Sequence, residues 1–398
     1  MGQKFDVAVV GGGLAGASVA LAAVNSGFRT VLIGPRSSGS DARTTALMLP
    51  SIALLQDIEV WPHVIDVAAP LRHMRIIDGT ARILRAPTVT FHAGELDLDA
   101  FGYNIPNAPL LETLFNAIDS KTALVHLDQN VADINENAEQ VDLLLADGST
   151  ISASLVVGAD GRNSIVRSSA GIAARDWNYP QTAIVLNFSH EITHDDTSNE
   201  FHTEHGPFTQ VPMPGRRSSL VWAMAPADAE AALDMTAEAL SRKVEDQMQS
   251  ILGKVQIEST IQSFPFKGMI ARSFGKGRMA LVGEAGHAFP PIGAQGLNLG
   301  LRDVADLVKA LGDAGGPANA LEAVRSYDRA RQSDVLSRTA SVDLLNRSLL
   351  NGFLPVQFAR SAGLAALSGF APLRNFAMRE GMKPGSGLEG LRRIYRKP

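Results

Sequence analysis

Gly11-Gly12-Gly13-Leu14-Ala15-Gly16 fits the spacing G-x-G-x-x-G. In that spacing the first glycine permits a tight turn and the second lets a pyrophosphate approach the backbone. The third lets the following helix pack close on the preceding strand, with the phosphate at the helix N-terminus. The chemistry is dinucleotide binding, and the motif by itself does not separate a flavin from a nicotinamide dinucleotide. A ribose-binding carboxylate is expected ~20 residues further on, but Gly34 stands there, with Arg36 two positions later. Such an arginine suits either the 2′-phosphate of NADP or a solvated surface loop.

Two further runs carry glycines where a ligand would need them. Gly158-Ala159-Asp160-Gly161-Arg162-Asn163-Ser164 follows an apolar strand. Asp160-Gly161 reads as a turn and Asn163 or Ser164 as a helix start. The longer run is Gly283-Glu284-Ala285-Gly286-His287-Ala288-Phe289-Pro290-Pro291-Ile292-Gly293-Ala294-Gln295-Gly296-Leu297-Asn298. It leaves a strand and enters a helix, so its backbone N–H groups gather where the helix dipole is positive and stabilise an anion, such as a reduced flavin ring. Glu284 is placed to bond a ribityl hydroxyl, and the Pro-Pro pair stiffens the loop. Among the nine histidines, His190-Glu191-Ile192-Thr193-His194 fits H-E-x-x-H, but it lies in a stretch that reads as β-structure rather than on a helix, so no metal site is expected. No G-x-S-x-G elbow supports a hydrolase. His205, His287 and Pro291 are the catalytic candidates, and none is assigned a role.

The elements that must position these residues follow from apolar patterning. Phe5–Val10 is a short buried-type strand, Leu14–Ser26 a helix closed by Gly27, and Arg29–Ile33 the next strand, together one βαβ unit. Met74–Ile77 and Arg82–Leu84 around Asp78-Gly79-Thr80 predict a hairpin, as do Val141–Leu145 and Ile151–Val157 around Asp147-Gly148. Pro109–Ile118 predicts a helix. Residues 178–265 predict antiparallel β-structure with one helix over Thr236–Leu252. Met279–Val282 is a buried strand, and a helix begins near Leu297.

The chain has 398 residues, 45% apolar and 19% charged, the profile of a globular chain with core enough for two or three domains. It has no cysteine, which excludes disulfides, thiolate metal sites and a cysteine nucleophile. A net charge of −5 gives no footprint for nucleic acid. Phe5–Val10 is too short for a secretory signal core, and no uncharged apolar run is long enough to span a bilayer. Charge is asymmetric: residues 351–398 hold eight cations against two anions, a net +6, interleaved with apolar clusters. That pattern suits an anionic membrane surface or, equally, a helical cap with a solvated basic end.

The three glycine-rich motifs, in this order and spacing, resemble those of the FAD-dependent aromatic-ring monooxygenases of the para-hydroxybenzoate hydroxylase type. Asp41-Ala42-Arg43-Thr44-Thr45-Ala46-Leu47, Phe101-Gly102-Tyr103 and Pro372–Gly381 resemble the ubiquinone-biosynthesis hydroxylases within that group. The resemblance runs from Phe5 to about Lys383. It implies an α/β fold: a Rossmann-like FAD-binding domain (GR2-type flavoprotein) with an inserted β-rich substrate domain and a C-terminal helical region. The expected division is 1–70, 97–175 and 275–345 for the FAD domain, 71–96 and 176–274 for the substrate domain, and 346–398 for the basic helical region.

By the same resemblance, Gly11, Gly13 and Gly16 hold the FAD pyrophosphate, and Arg43 contacts the FAD and steadies the loop beside the flavin; Arg36, read from its place after the second strand, is a further cofactor-binding candidate. The backbone of Val131 meets the adenine. Asp160 and Gly161 belong to a motif shared between FAD and the nicotinamide nucleotide. Glu284 stands for the commoner aspartate on the ribityl chain, and Gly293, Gly296, Leu297 and Asn298 line the isoalloxazine. The implied activity is hydroxylation of a polyprenylphenol-type ring by O2, through reduced flavin and a C4a-hydroperoxide. NADPH or NADH is the transient electron donor. The alternatives are an accessory non-catalytic flavoprotein of a quinone-biosynthesis complex, or an FAD-dependent reductase of a prenyl lipid. The expected location is cytoplasmic, with peripheral membrane or complex contact through 351–398.

Overall fold

A computed structural model describes residues 3–36, 41–80, 85–290, 295–350, 363 and 365–382. Two large sheets organise them. In the first, the strand Gln3–Val10 lies between Thr30–Ile33 and Thr150–Gly158, parallel to both. Leu124–Leu127 extends it beyond Thr30–Ile33, and Met279–Leu281 extends it beyond Thr150–Gly158, again in parallel. Where they lie side by side, Val7–Val10, Thr30–Ile33, Leu155–Gly158 and Met279–Leu281 are buried and, Thr30 apart, apolar, as a parallel sheet covered on both faces requires. The helices Leu14–Asn25, Asn107–Asp119 and Gln295–Asp313 contribute to the core on one side. Antiparallel strands Val131–Glu136 and Val141–Leu145 join a second core containing Ile134, Val141 and Val156.

The second sheet has nine strands, with Ala174–His190 pairing antiparallel to both Arg217–Met224 and Gln262–Ala271. One face is apolar through Ile184, Leu186, Phe188, Phe201, Phe208, Leu220 and Trp222, and packs on the helices Pro226–Leu233 and Ala237–Gln247. The opposite face carries Ser198, Glu200, Thr209, Val211, Ser219 and Val221, which line a cavity.

Several local expectations are met. Gly27 sits just past its helix at φ +86°. Ser164 caps Ile165–Ser169, its Oγ accepting from Arg167 N at 2.9 Å. Others differ. The strand His73–Asp78 pairs with Val89–His92; the second arm of the hairpin expected around Asp78-Gly79-Thr80, residues 82–84, lies outside the described residues. The single helix expected over Thr236–Leu252 stops at Gln247, where turns begin, and a separate helix precedes it. The division drawn at 175/176 falls inside one continuous strand, and His287–Ala288 pairs with the β-rich sheet. Most of the basic tail lies outside the described residues. Its described helix, Ala371–Met382, packs Met378 with Ala93, Leu96 and Phe101 and pairs Arg374 with Glu95 at 2.7 Å.

Candidate active site

The glycine turn forms where strand Gln3–Val10 hands over to helix Leu14–Asn25. A Cβ on Gly11 would lie 2.2 Å from the Ala159 carbonyl oxygen, and one on Gly16 would lie 1.9 Å from the Gly11 carbonyl oxygen. These glycines let two strand ends and a helix close on one another. A Cβ on Gly13 would meet nothing within 4 Å. The helix N-terminus at Gly13-Leu14 therefore opens into free space rather than protein.

That space is a cavity of about 1010 Å³ between the two sheets, at the upper end of the ~300–1,000 Å³ usual for ligand sites. Gly13, Arg36, Arg43, Gly161, Glu284, Gly296 and Leu297 all line it. Asp160 lies between two lining residues, and its Oδ2 accepts from Ile165 N at 2.7 Å, so the carboxylate organises the turn under Gly161. The open helix N-terminus, the close-packed glycines and the volume of the lined space suit a dinucleotide. Gly13, Gly161 and Glu284 would hold its phosphates and ribityl chain, and Gly296 and Leu297 its ring.

Other predicted residues support the cavity without lining it. Asn298 is buried; its Nδ2 donates to Ala46 O at 2.7 Å, while its Oδ1 accepts from Met48 N and Ser51 Oγ. It ties the helix Gln295–Asp313 to the strand Thr44–Met48. His287 is buried with its Nε2 2.7 Å from Asp303 Oδ2, which also accepts from Gly283 N at 2.8 Å. Arg331, fully buried, holds Asp303 Oδ1 at 2.7 Å as an ion pair off the hydrogen-bond line. This cluster pins both ends of the Gly283–His287 segment to the helix behind it, and His287 takes part in it rather than lining the cavity. His205 sits in the exposed turn between strands Thr197–Thr203 and Gly206–Met213, away from the lining. Val131, at the start of its strand, is also outside the lining. Pro291 and Gly293 lie outside the described residues.

The residues that sequence reasoning missed come from two places. Asp41 and Asn107 build a polar bracket with Arg43: Arg43 Nε and an Nη donate to the two Asp41 oxygens at 2.7 and 2.8 Å, and Asn107 Nδ2 donates to Asp41 Oδ2 at 3.1 Å. Burial pushes the Asp41 carboxyl up, but the Arg43 and Asn107 hydrogen bonds outweigh it and hold the group below the ordinary carboxylate range. Arg43 is correspondingly raised by its bond to Asp41. Arg36 lies over the Phe115 ring at 4.7 Å and pairs with Asp119, with Glu112 and Asn116 along the same helix. The second group is the sheet face, Ser198, Glu200, Thr209, Val211, Ser219 and Val221. Its alternation is visible in the sequence, but nothing local says which face meets the cavity.

Residues 4–336 match the family model described as an FAD binding domain. The ubiquinone hydroxylase UbiL of Rhodospirillum rubrum is 34% identical over 391 residues, covering 95% of this chain and 89% of that protein. The 3-demethoxyubiquinol 3-hydroxylase of Escherichia coli is 28% identical, covering 95% of this chain and 98% of its own. Among solved structures, p-nitrophenol 4-monooxygenase PnpA from Pseudomonas putida superposes with a TM-score of 0.77 at 18% identity, over 97% of this chain and 98% of that one. That last likeness speaks to the fold. With a family model matched over most of the chain and relatives matched over nearly their whole length, the chain belongs to the ubiquinone-biosynthesis hydroxylase family of FAD-dependent aromatic-ring monooxygenases.

Proposed function

We propose that the protein hydroxylates the ring of a neutral, decarboxylated polyprenylphenol on the path to ubiquinone, with NADPH or NADH as electron donor. Bound FAD supplies the reduction of O2 and the transfer of one oxygen atom to an electron-rich ring. The observation that carries the substrate class is the charge of the sheet face. Met74, Ser198, Thr209, Val211, Ser219 and Val221 offer apolar walls and hydroxyls, and the charged group among them is an acid, Glu200. The cations of the described lining, Arg36 and Arg43, are paired with Asp119 and Asp41. A benzoate would bring its carboxylate toward Glu200 without a cation to meet it, whereas a phenol meets hydroxyls and an acceptor. The test is NAD(P)H oxidation by the FAD-loaded protein with 2-geranylphenol or 4-hydroxybenzoate, with ¹⁸O2 incorporation followed by mass spectrometry. The expected result is stimulation and labelled product with the phenol alone. Stimulation by the benzoate alone, or by neither, overturns the reading.

The same substrate favours a membrane-facing protein. No helix among the described residues is long and apolar enough to cross a bilayer. Phe370 and Leu373 are exposed at 59% and 40% beside the start of helix Ala371–Met382, in a segment of net +6. Basic and apolar groups together suit peripheral docking on an anionic surface.

A further inference from the structure

We propose that Glu200 is the general base of the hydroxylation, accepting the hydrogen bond and then the proton of the substrate phenol while His202 holds its carboxylate in place. The inference rests on the reading that the cavity takes a neutral phenol. Along the strand Thr197–Thr203 alternate side chains face opposite ways. Ser198 and Glu200 line the cavity, and Phe201 enters the core behind the sheet. His202 shares the Glu200 face but is only 4% exposed. Its Nε2 lies 2.9 Å from Glu200 Oε1. A carboxylate can only accept, so His202 Nε2–H donates to it. His202 Nδ1 is buried without a hydrogen-bond partner among the described residues. The imidazole thus makes one bond, and that bond fixes Glu200.

The other acids of the cavity are differently disposed. Asp41 is bracketed by Arg43 and Asn107, Glu284 is paired with Arg162 at 3.3 Å, and Glu112 stands on the helix Asn107–Asp119 beside Phe115 and Asn116. Asp78, the register neighbour of His202 on the adjoining strand, accepts from Thr80 and from Ala86 N. Glu200 is therefore the acid facing the ring side of the cavity, next to Thr209 on the neighbouring strand.

The proton need not leave a resting phenol, whose pKa near ~10 lies far above the ~4.3 of a glutamate. As the ring carbon attacks the incoming oxygen, electron density leaves the phenol oxygen and its proton becomes strongly acidic. The O–H bond then breaks, its electron pair completes a ring carbonyl, and the proton passes to Glu200. On rearomatisation the hydrogen of the attacked carbon leaves as a proton, taken up by the oxygen anion left behind when the O–O bond of the oxygen donor broke. Glu200 returns its own proton to the carbonyl oxygen, which restores both the carboxylate and the phenol.

The test uses the FAD-loaded protein, 2-geranylphenol and the methyl ether of that phenol, with binding followed by flavin fluorescence. The wild type is expected to prefer the phenol about tenfold or more, as a charge-assisted hydrogen bond would give. Glu200→Ala is expected to lose that preference at unchanged FAD content. Glu200→Gln, which accepts a hydrogen bond but not a proton, is expected to bind the phenol within about threefold and to form hydroxylated product ~10²–10⁴-fold more slowly. An undiminished preference in Glu200→Ala, or wild-type turnover in Glu200→Gln, overturns the role of Glu200 while leaving the substrate reading standing. Failure of the wild type to bind either compound removes the substrate reading and this proposal with it. For His202, the glutamine variant keeps an N–H donor and is expected to keep the phenol preference, whereas His202→Leu is expected to lose it. Equal behaviour of the two variants overturns its positioning role.

Discussion

At the scale of single residues, two glycines with the same apparent purpose have opposite structural settings. A side chain on Gly13 would point into the cavity and touch no protein atom within 4 Å. Gly13→Val is therefore expected to fold, with a thermal midpoint close to that of the wild-type apoprotein, and to purify colourless. Full flavin occupancy in that variant would mean that the cofactor lies elsewhere. Gly34 stands where the family's ribose carboxylate is expected, and restoring that carboxylate looks like an improvement. However, its φ is +151°, and a Cβ would lie 2.6 Å from Gly12 N. Gly34→Glu is therefore expected to weaken FAD binding by an amount reflecting ~1–3 kcal/mol of backbone strain, measured as the dissociation constant by fluorescence titration. Tighter binding would show that the turn relaxes freely. The absence of an acid at this position is thus a consequence of how closely the Gly34 and Gly12 turns approach.

At the scale of elements, what could be read from the sequence separates by how local the information is. The three glycine-rich runs each lie within one strand–turn–helix, so their chemistry and their surroundings are contiguous in the chain. All three contribute residues to one cavity, among them Gly13, Gly161, Glu284 and Gly296. The sheet face opposite them was not readable, because strand Thr197–Thr203 finds its parallel partner His73–Asp78 more than a hundred residues earlier in the chain. The sequence drew attention to His205, in a turn, while the histidine that touches a cavity acid is His202, three residues back within the strand. The end of the third motif shows the same limit. Asp303 reads as a helix residue, yet it holds Gly283 N, His287 and Arg331 together in a fully buried cluster. Asp303→Ala would leave a buried arginine short of one partner and release the segment carrying Glu284. A loss of about 3–5 kcal/mol is expected from breaking such a pair, seen as a lower urea midpoint, together with weaker FAD retention. Unchanged stability would show that Asp306 and Asp334, which also contact Arg331, carry the cluster alone.

At the scale of the whole molecule, the charge distribution and the last described helix bear on how a long prenyl chain reaches an enclosed ring site. Residues 351–398 carry +6, so the rest of the chain carries −11. The helix Ala371–Met382 is fastened to the body by Met378 in an apolar cluster and by Arg374 on Glu95. Met48 and Met74 pack against that same cluster and also line the cavity. The helix is thus tied to a cavity wall through that cluster, and Phe370 and Leu373 at its start are exposed. Docking this side on an anionic bilayer would bring the ring site to the lipid surface and leave the prenyl tail in hydrocarbon, where each buried CH₂ contributes about 0.8 kcal/mol that extraction into water would forfeit. Each cation held near the surface adds up to ~1 kcal/mol, screened by salt. The full chain is therefore expected to co-sediment with vesicles containing anionic lipid at low salt and to be released at high salt. A chain ending at Met382 loses five of the eight cations, Lys383, Arg392, Arg393, Arg396 and Lys397. It is expected to bind those vesicles more weakly while keeping its FAD, because the described cavity lining ends well before the cut. Equal sedimentation of both chains, or of neither, would assign the basic end to solvent or to a protein partner, and the substrate would then have to be delivered out of the membrane.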